Sequence, residues 1–135
     1  MDYPKLDRDE IVKAGRKESI ILETAQQIIK DFAEFSLEIT FSGNATDFYD
    51  ELYHQMNFHI DSLMQESTTM FQALLYRIDI RQKDIDMYHR QMPNAHYSDV
   101  LTELIIHREI KKVMVRDYFR THGTSSTQTN DDNED

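Results

Sequence analysis

The chain predicts an all-α fold, an antiparallel bundle of three long helices and one short helix. Apolar residues recur at spacings of three and four through most of its 135 residues, and only three glycines and two prolines punctuate them. Strand-like alternation is confined to one short stretch, Phe35 to Phe41. A single small domain is expected, with a core modest enough that a neighbouring chain could share in hiding apolar surface.

The first helix starts at Asp7, which has capping-box spacing with Glu10, so that carboxylates accept from first-turn amides that have no helical partner. Its stripe runs Ile11, Ala14, Ile21, Ala25, Ile28, Phe32, Phe35 and Ile39, interrupted only by Glu18. This is a coiled-coil-like seam. Leu37, Ile39 and Phe41 also alternate with polar residues, so the helix is ended near Phe35 and a short extended link is drawn at 37–41. Gly43-Asn44 then supplies a turn.

Asn44 and Asp47 open a second long helix carrying Phe48, Leu52, Met56, Ile60 and Leu63. Ser67-Thr68-Thr69 is the point where it would break, because hydroxyl and β-branched residues lower helix propensity. Met70, Phe71, Leu74, Leu75 and Ile78 resume the period to about Asp79. A shorter helix spans about Arg81 to Gln91, with Ile85 and either Met87 or Tyr88 inward, and Pro93 closes it. The last helix begins at Ser98 as N-cap, with Asp99 in the first turn.

That last helix carries two apolar arcs. Val100, Leu101, Leu104, Ile105, Val115, Tyr118 and Phe119 gather on one side, and Ile106, Ile110 and Val113 form a stripe almost opposite. Either the helix is central in its own bundle or one arc meets another surface. The expectation drawn is a homodimer through Ile106, Ile110 and Val113. Residues 1–120 are thus one helical domain. Residues 121–135 hold four acidic side chains and no apolar one, which reads as a disordered acidic tail.

The formal net charge is −10, which argues against nucleic acid and against anionic membranes as partners. The absence of cysteine removes disulfides, thiolate nucleophiles and sulfur-based zinc sites. With no signal-like N-terminus and no long apolar run, a cytoplasmic protein is expected.

Leu74-Leu75-Tyr76-Arg77-Ile78-Asp79, with Thr40-Phe41-Ser42-Gly43-Asn44 before it and Glu103-Leu104-Ile105-Ile106 after it, resembles a set of small all-helical bacterial proteins of uncharacterised function. The resemblance covers most of residues 15–120. It implies a cytoplasmic helical domain and carries no activity.

Glu51 and His54 have the Glu-x-x-His spacing that puts a carboxylate and an imidazole on one helix face, as in di-iron bundles. The nearest second pair, Glu103 and His107, is spaced four rather than three. A small metal-binding enzyme or carrier built from these four is the alternative reading. Neither His54, His59 nor His107 is followed by the lysine and glycine of a phosphotransfer histidine, and no nucleophile elbow, phosphate loop or dinucleotide motif occurs. No motif asks for a cofactor.

Arg108, Lys112, Arg116 and Arg120 follow one another at intervals of four, with Lys111 alongside, and form a basic strip. Such a strip either meets an anion or acidic partner, or is answered by the acidic first helix or the tail. Met64, Met87 and Met92 are candidate exposed contacts, with Met56 and Met70 assigned to apolar stripes. A non-enzymatic interaction or regulatory module, with a protein partner and the surface Ile106, Ile110, Val113, Arg108, Lys112, Arg116 and Arg120, is the functional expectation.

Overall fold

A computed structural model describes residues 17–122. The expected cap at Asp7 and Glu10, the seam positions Ile11 and Ala14, and the acidic tail from residue 123 lie outside the described residues. Those described are all-helical: α1 Glu18–Ala33, α2 Phe48–Glu66, α3 Thr68–Ile78, α4 Gln82–Gln91 and α5 Tyr97–His122, with a single 3₁₀ turn, Ala45–Asp47, before α2.

Five helices stand where the sequence reading has four, because the expected second helix is divided at Ser67. Ser67 leaves the helical region (φ −153°, ψ 93°), and its hydroxyl accepts the Met70 amide at 3.2 Å. A serine can cap the helix that follows it, satisfying an amide that the break would otherwise orphan. The break lets α3 leave the line of α2 while both keep their stripes buried: Phe48, Leu52, Met56, Ile60 and Leu63 on α2, Phe71, Leu74, Leu75 and Ile78 on α3. Met70 is the exception, since it is exposed rather than on the core stripe.

Both α1 and α3 end on left-handed residues that are not glycine, Ser36 (φ 61°) and Asp79 (φ 67°). Each end closes with the amide beyond the turn donating back across it, Leu37 to the Phe32 carbonyl at 3.1 Å and Ile80 to the Leu75 carbonyl at 2.9 Å. These are Schellman turns, with an apolar residue tucked in after each. Asp79 is thereby pinned where α3 gives way to α4.

Residues 37–42 are non-helical, and Ile39 is buried between exposed Glu38 and Thr40, as the alternation requires. There is no strand partner among the described residues. Gln55 of α2 takes that role, its carbonyl accepting the Thr40 amide at 2.8 Å and its amide donating to the Thr40 carbonyl at 2.7 Å. His59 donates from Nε2 to the Glu38 carbonyl at 2.8 Å, and Glu51 accepts the Ser42 amide at 2.9 Å. Gly43 takes φ +91°, and Asn44 caps the 3₁₀ turn through Thr46.

Helix α5 is the axle of the fold, packing against α1, α2, α3 and α4. It begins at Tyr97 and continues to His122, one residue earlier than the expected Ser98 cap and two past the expected end. From Ser98 to Val115 no residue is exposed. The second arc and the N-terminal part of the first are therefore inside: Val100, Leu101 and Ile105 are fully buried, and so are Ile106 and Val113, with Ile110 nearly so, whereas Tyr118 and Phe119 at the end of the first arc are exposed. The stripe expected to pair with a second copy is filled by this chain's own side chains, because other helices pack onto α5 from opposite sides. Truncating a residue such as Leu101 to alanine costs about 2–5 kcal/mol at positions this enclosed.

Candidate functional site: a cationic cleft over a buried acid pair

The central helix is also where the buried polar residues collect, Thr102, Glu103, His107 and Glu109. His107 and Glu109 point about 200° apart on the wheel. They belong to two different clusters on two flanks of α5.

On the Glu109 flank the surface opens into a cleft of about 1110 Å³, bordered by the C-terminal half of α1, the α3–α4 junction and the outer face of α5. Eight lysines and arginines line it against three aspartates. In a chain with net charge −10, more than half of the 15 basic residues border one concavity. Arg108, Lys111, Lys112 and Arg116 of the expected basic strip form one wall, and Arg120 lies beyond it, 3.4 Å from Glu23 of α1. Lys30, Arg77, Arg81 and Lys83 complete the ring from three other places in the chain.

Several of these cations are held in place from the side. Arg108 reaches Asp79 at 2.6 Å and Arg116 reaches Glu23 at 3.4 Å, so the acidic first helix does answer part of the strip. Arg81 stands 3.9 Å from Asp79. Asp84 is turned to its own helix start, accepting the Arg81 amide at 3.4 Å. Lys30, Lys83 and Lys111 have no ion pair among the described residues, and the buried Nε of Arg108 has no acceptor there.

Beneath the cleft lie two carboxyl groups, Asp31 of α1 and Glu109 of α5. Arg77 Nε stands 3.0 Å from Asp31 Oδ1, and the Gln27 side-chain amide donates to the same oxygen at 3.0 Å. Lys112 Nζ is 3.6 Å from Glu109 Oε1. Asp31 Oδ2 and both Glu109 oxygens are buried without a donor from any other group. Two ionised carboxylates in that position would repel, so one keeps its proton. Burial, then the hydrogen bond and the charge of Asp31, push Glu109 up to about 9, with Lys112 opposing. At neutral pH Glu109 therefore keeps its proton and donates it in the hydrogen bond to Asp31.

On the other flank, Glu103 and His107 form a sealed polar chain. His107 Nε2 is 3.2 Å from Glu103 Oε2, and the Tyr88 hydroxyl of α4 is 2.8 Å from His107 Nδ1. The Tyr49 hydroxyl of α2 donates to Glu103. With the ring proton on Nε2, His107 donates to Glu103 and accepts from Tyr88, which satisfies every partner. One turn earlier, Asp99 accepts from Tyr53 at 2.9 Å and from Asn57. Burial and the Asp99 carboxylate raise the Tyr53 phenol above its ordinary value. These contacts fasten α2 and α4 onto α5.

The four residues of the metal alternative do not converge. Glu103 and His107 are engaged with each other and with tyrosines. Glu51 holds the Ser42 amide, and His54 is exposed on the surface of α2 beside Asp50 at 3.3 Å. Among the described residues no three Asp, Glu or His side chains are grouped to hold a metal ion.

The basic strip was legible in the sequence as half of a site. Its other half, Lys30, Arg77, Arg81 and Lys83, comes from elements whose proximity only folding creates. The acid pair did leave a trace: Glu109 sits four residues after Ile105 and four before Val113, in register with the core, and Asp31 directly precedes the buried Phe32. An acid in phase with an apolar stripe marks a buried carboxyl group.

No protein family, curated protein or solved structure matches the chain. No helix among the described residues is long and apolar enough to cross a membrane.

Proposed function

We propose that the protein is a non-enzymatic cytoplasmic interaction module that takes an acidic segment of a partner protein into the cleft between α1, the α3–α4 junction and α5. The observation that carries this reading is the gathering of eight cations in one concavity of a strongly acidic chain. A cleft whose sign opposes that of the whole molecule selects its partner by charge and repels chains resembling its own surface. The buried carboxyl groups, Glu109 above all, are shut away from solvent and serve the cations rather than a substrate.

The test is binding of a fluorescent glutamate-rich peptide, followed by anisotropy at low and physiological salt. Micromolar affinity that falls at least tenfold in Lys111→Glu/Arg116→Glu, and that weakens steadily with salt, supports the module. Indifference of binding to both the substitutions and the salt would place the partner elsewhere.

A further inference from the structure

The inner end of the cleft differs from its rim. On the rim, arginines stand opposite single carboxylates of α1 or the α3–α4 junction. At the inner end, Arg77 from α3 and Lys112 from α5 are anchored on the same object, the hydrogen-bonded Asp31–Glu109 pair, at 3.0 and 3.6 Å, with Glu34 at the end of α1 a further 3.9 Å contact of the Arg77 guanidinium. Two cations from different helices thereby converge on one buried acid pair that lies under the same cleft. Arg108, one turn before Lys112 on α5, is paired with Asp79 at 2.6 Å through one terminal nitrogen and keeps a buried Nε donor without an acceptor among the described residues.

We propose that this inner end is a seat for a phosphate monoester dianion, held between Arg77 and Lys112 with Arg108 at its flank. The proposal rests on the reading of the cleft as an anion-docking surface and names the group that enters deepest. A single carboxylate is satisfied by one guanidinium, whereas a dianion with three terminal oxygens engages two or three cations at once. Val115 is the one apolar residue lining the cleft and no aromatic ring lines it among the described residues, so nothing stacks a base and a nucleotide is disfavoured. The proton on Glu109 spares the seat a further negative charge beneath Arg77 and Lys112.

The groups facing Glu109 are Asp31 from α1, Arg77 of α3 through Asp31, and Lys112 on its own helix. Lys30, Lys83 and Lys111 border the same space and lose charge at alkaline pH too. A pH effect is therefore assigned to Glu109 only as the difference between wild type and Glu109→Gln, whose amide still donates to Asp31 and stays neutral at every pH. Glu109 is a positioning residue.

The experiment is calorimetric titration of the full chain with inorganic phosphate, with an acidic peptide carrying one phosphoserine, and with its unphosphorylated twin. Wild type, Lys112→Gln and Glu109→Gln are compared, with circular dichroism confirming that each is folded. Preference for the phosphopeptide by tenfold or more, competition by inorganic phosphate, and loss of both in Lys112→Gln support the seat and assign it to a phosphorylated protein segment. Binding of inorganic phosphate that Lys112→Gln removes, without any preference between the peptides, supports the seat with free phosphate as its source. Glu109→Gln should hold wild-type affinity at pH 7 and lose less than wild type at pH 9.5; a tenfold loss at pH 7 overturns the role given to the Glu109 proton. Equal binding of both peptides with no response to phosphate overturns the seat and leaves the docking cleft standing. Failure of all three probes overturns both.

Discussion

The two flanks of α5 each bury an acid, and they treat it differently. Glu103 accepts from Tyr49 and faces His107, which in turn is met by Tyr88. Glu109 faces another carboxyl group, with a lysine at 3.6 Å as its nearest cation. The first arrangement supplies neutral donors to an acid that is sealed between helices, and the result is a fastening. The second leaves an acid short of donors so that it keeps its proton, and the cations above it are not fully neutralised. Buried polar groups that are satisfied specify packing, and those that are incompletely satisfied leave charge over for something outside.

The largest expected effect breaks the symmetry that both flanks share, the enclosed apolar stripe. Ile106→Asp places a charge at a position with no solvent and should cost more than about 4 kcal/mol, seen as loss of the cooperative urea transition. A soluble folded protein that merely changed its oligomeric state would return the stripe to an intermolecular role.

Next in size are removals of one partner on each flank. His107→Ala should cost about 2–3 kcal/mol by urea denaturation, since it opens a cavity and strips partners from Glu103 and Tyr88. Arg77→Ala should cost about 2 kcal/mol, less than a fully buried pair because the guanidinium is partly solvated. Arg77→Ala should also weaken peptide binding, which His107→Ala leaves unchanged in the fraction that folds.

Isosteric neutralisation sharpens the contrast by giving opposite signs. Glu103→Gln should destabilise by about 1–2 kcal/mol, because a charged acceptor is exchanged for a weaker one. Glu109→Gln should instead stabilise at pH 8 by at least about 1 kcal/mol. The sign follows from the proton: folded Glu109 keeps it up to about 9, whereas an ordinary glutamate releases it near 4.5, so the unfolded chain releases it first. Folding above pH 4.5 therefore takes up a proton, and this group's contribution is greatest below 4.5, declines as pH rises and levels off past about 9. Thermal melts at half-unit pH intervals should show that decline in wild type and not in Glu109→Gln.

The smallest effect is at the outer end of the strip. Arg120→Ala, solvated and 3.4 Å from Glu23, should change stability by less than about 0.5 kcal/mol and leave peptide binding within twofold.

The sequence carried the helical class, the stripes of α2 and α3, the alternating link at 37–41 and the turn at Gly43, because each rests on contacts within a few residues or on a simple period. It also carried the basic strip, since residues four apart on a helix share a face wherever the helix lies. The division at Ser67 was visible as a weak point, but a serine tolerates either a continuous helix or a cap, and packing chose the cap. Whether Ile106, Ile110 and Val113 faced a second copy or this chain's own helices was open in the sequence for the same reason: an apolar stripe states that it will be covered and not by what. Tertiary structure alone brought Asp31 under Glu109 and Arg77 beside Lys112, pairs separated by 78 and 35 positions. A carboxyl group's proton and a cation's free valence are properties of such meetings, and no local pattern contains them.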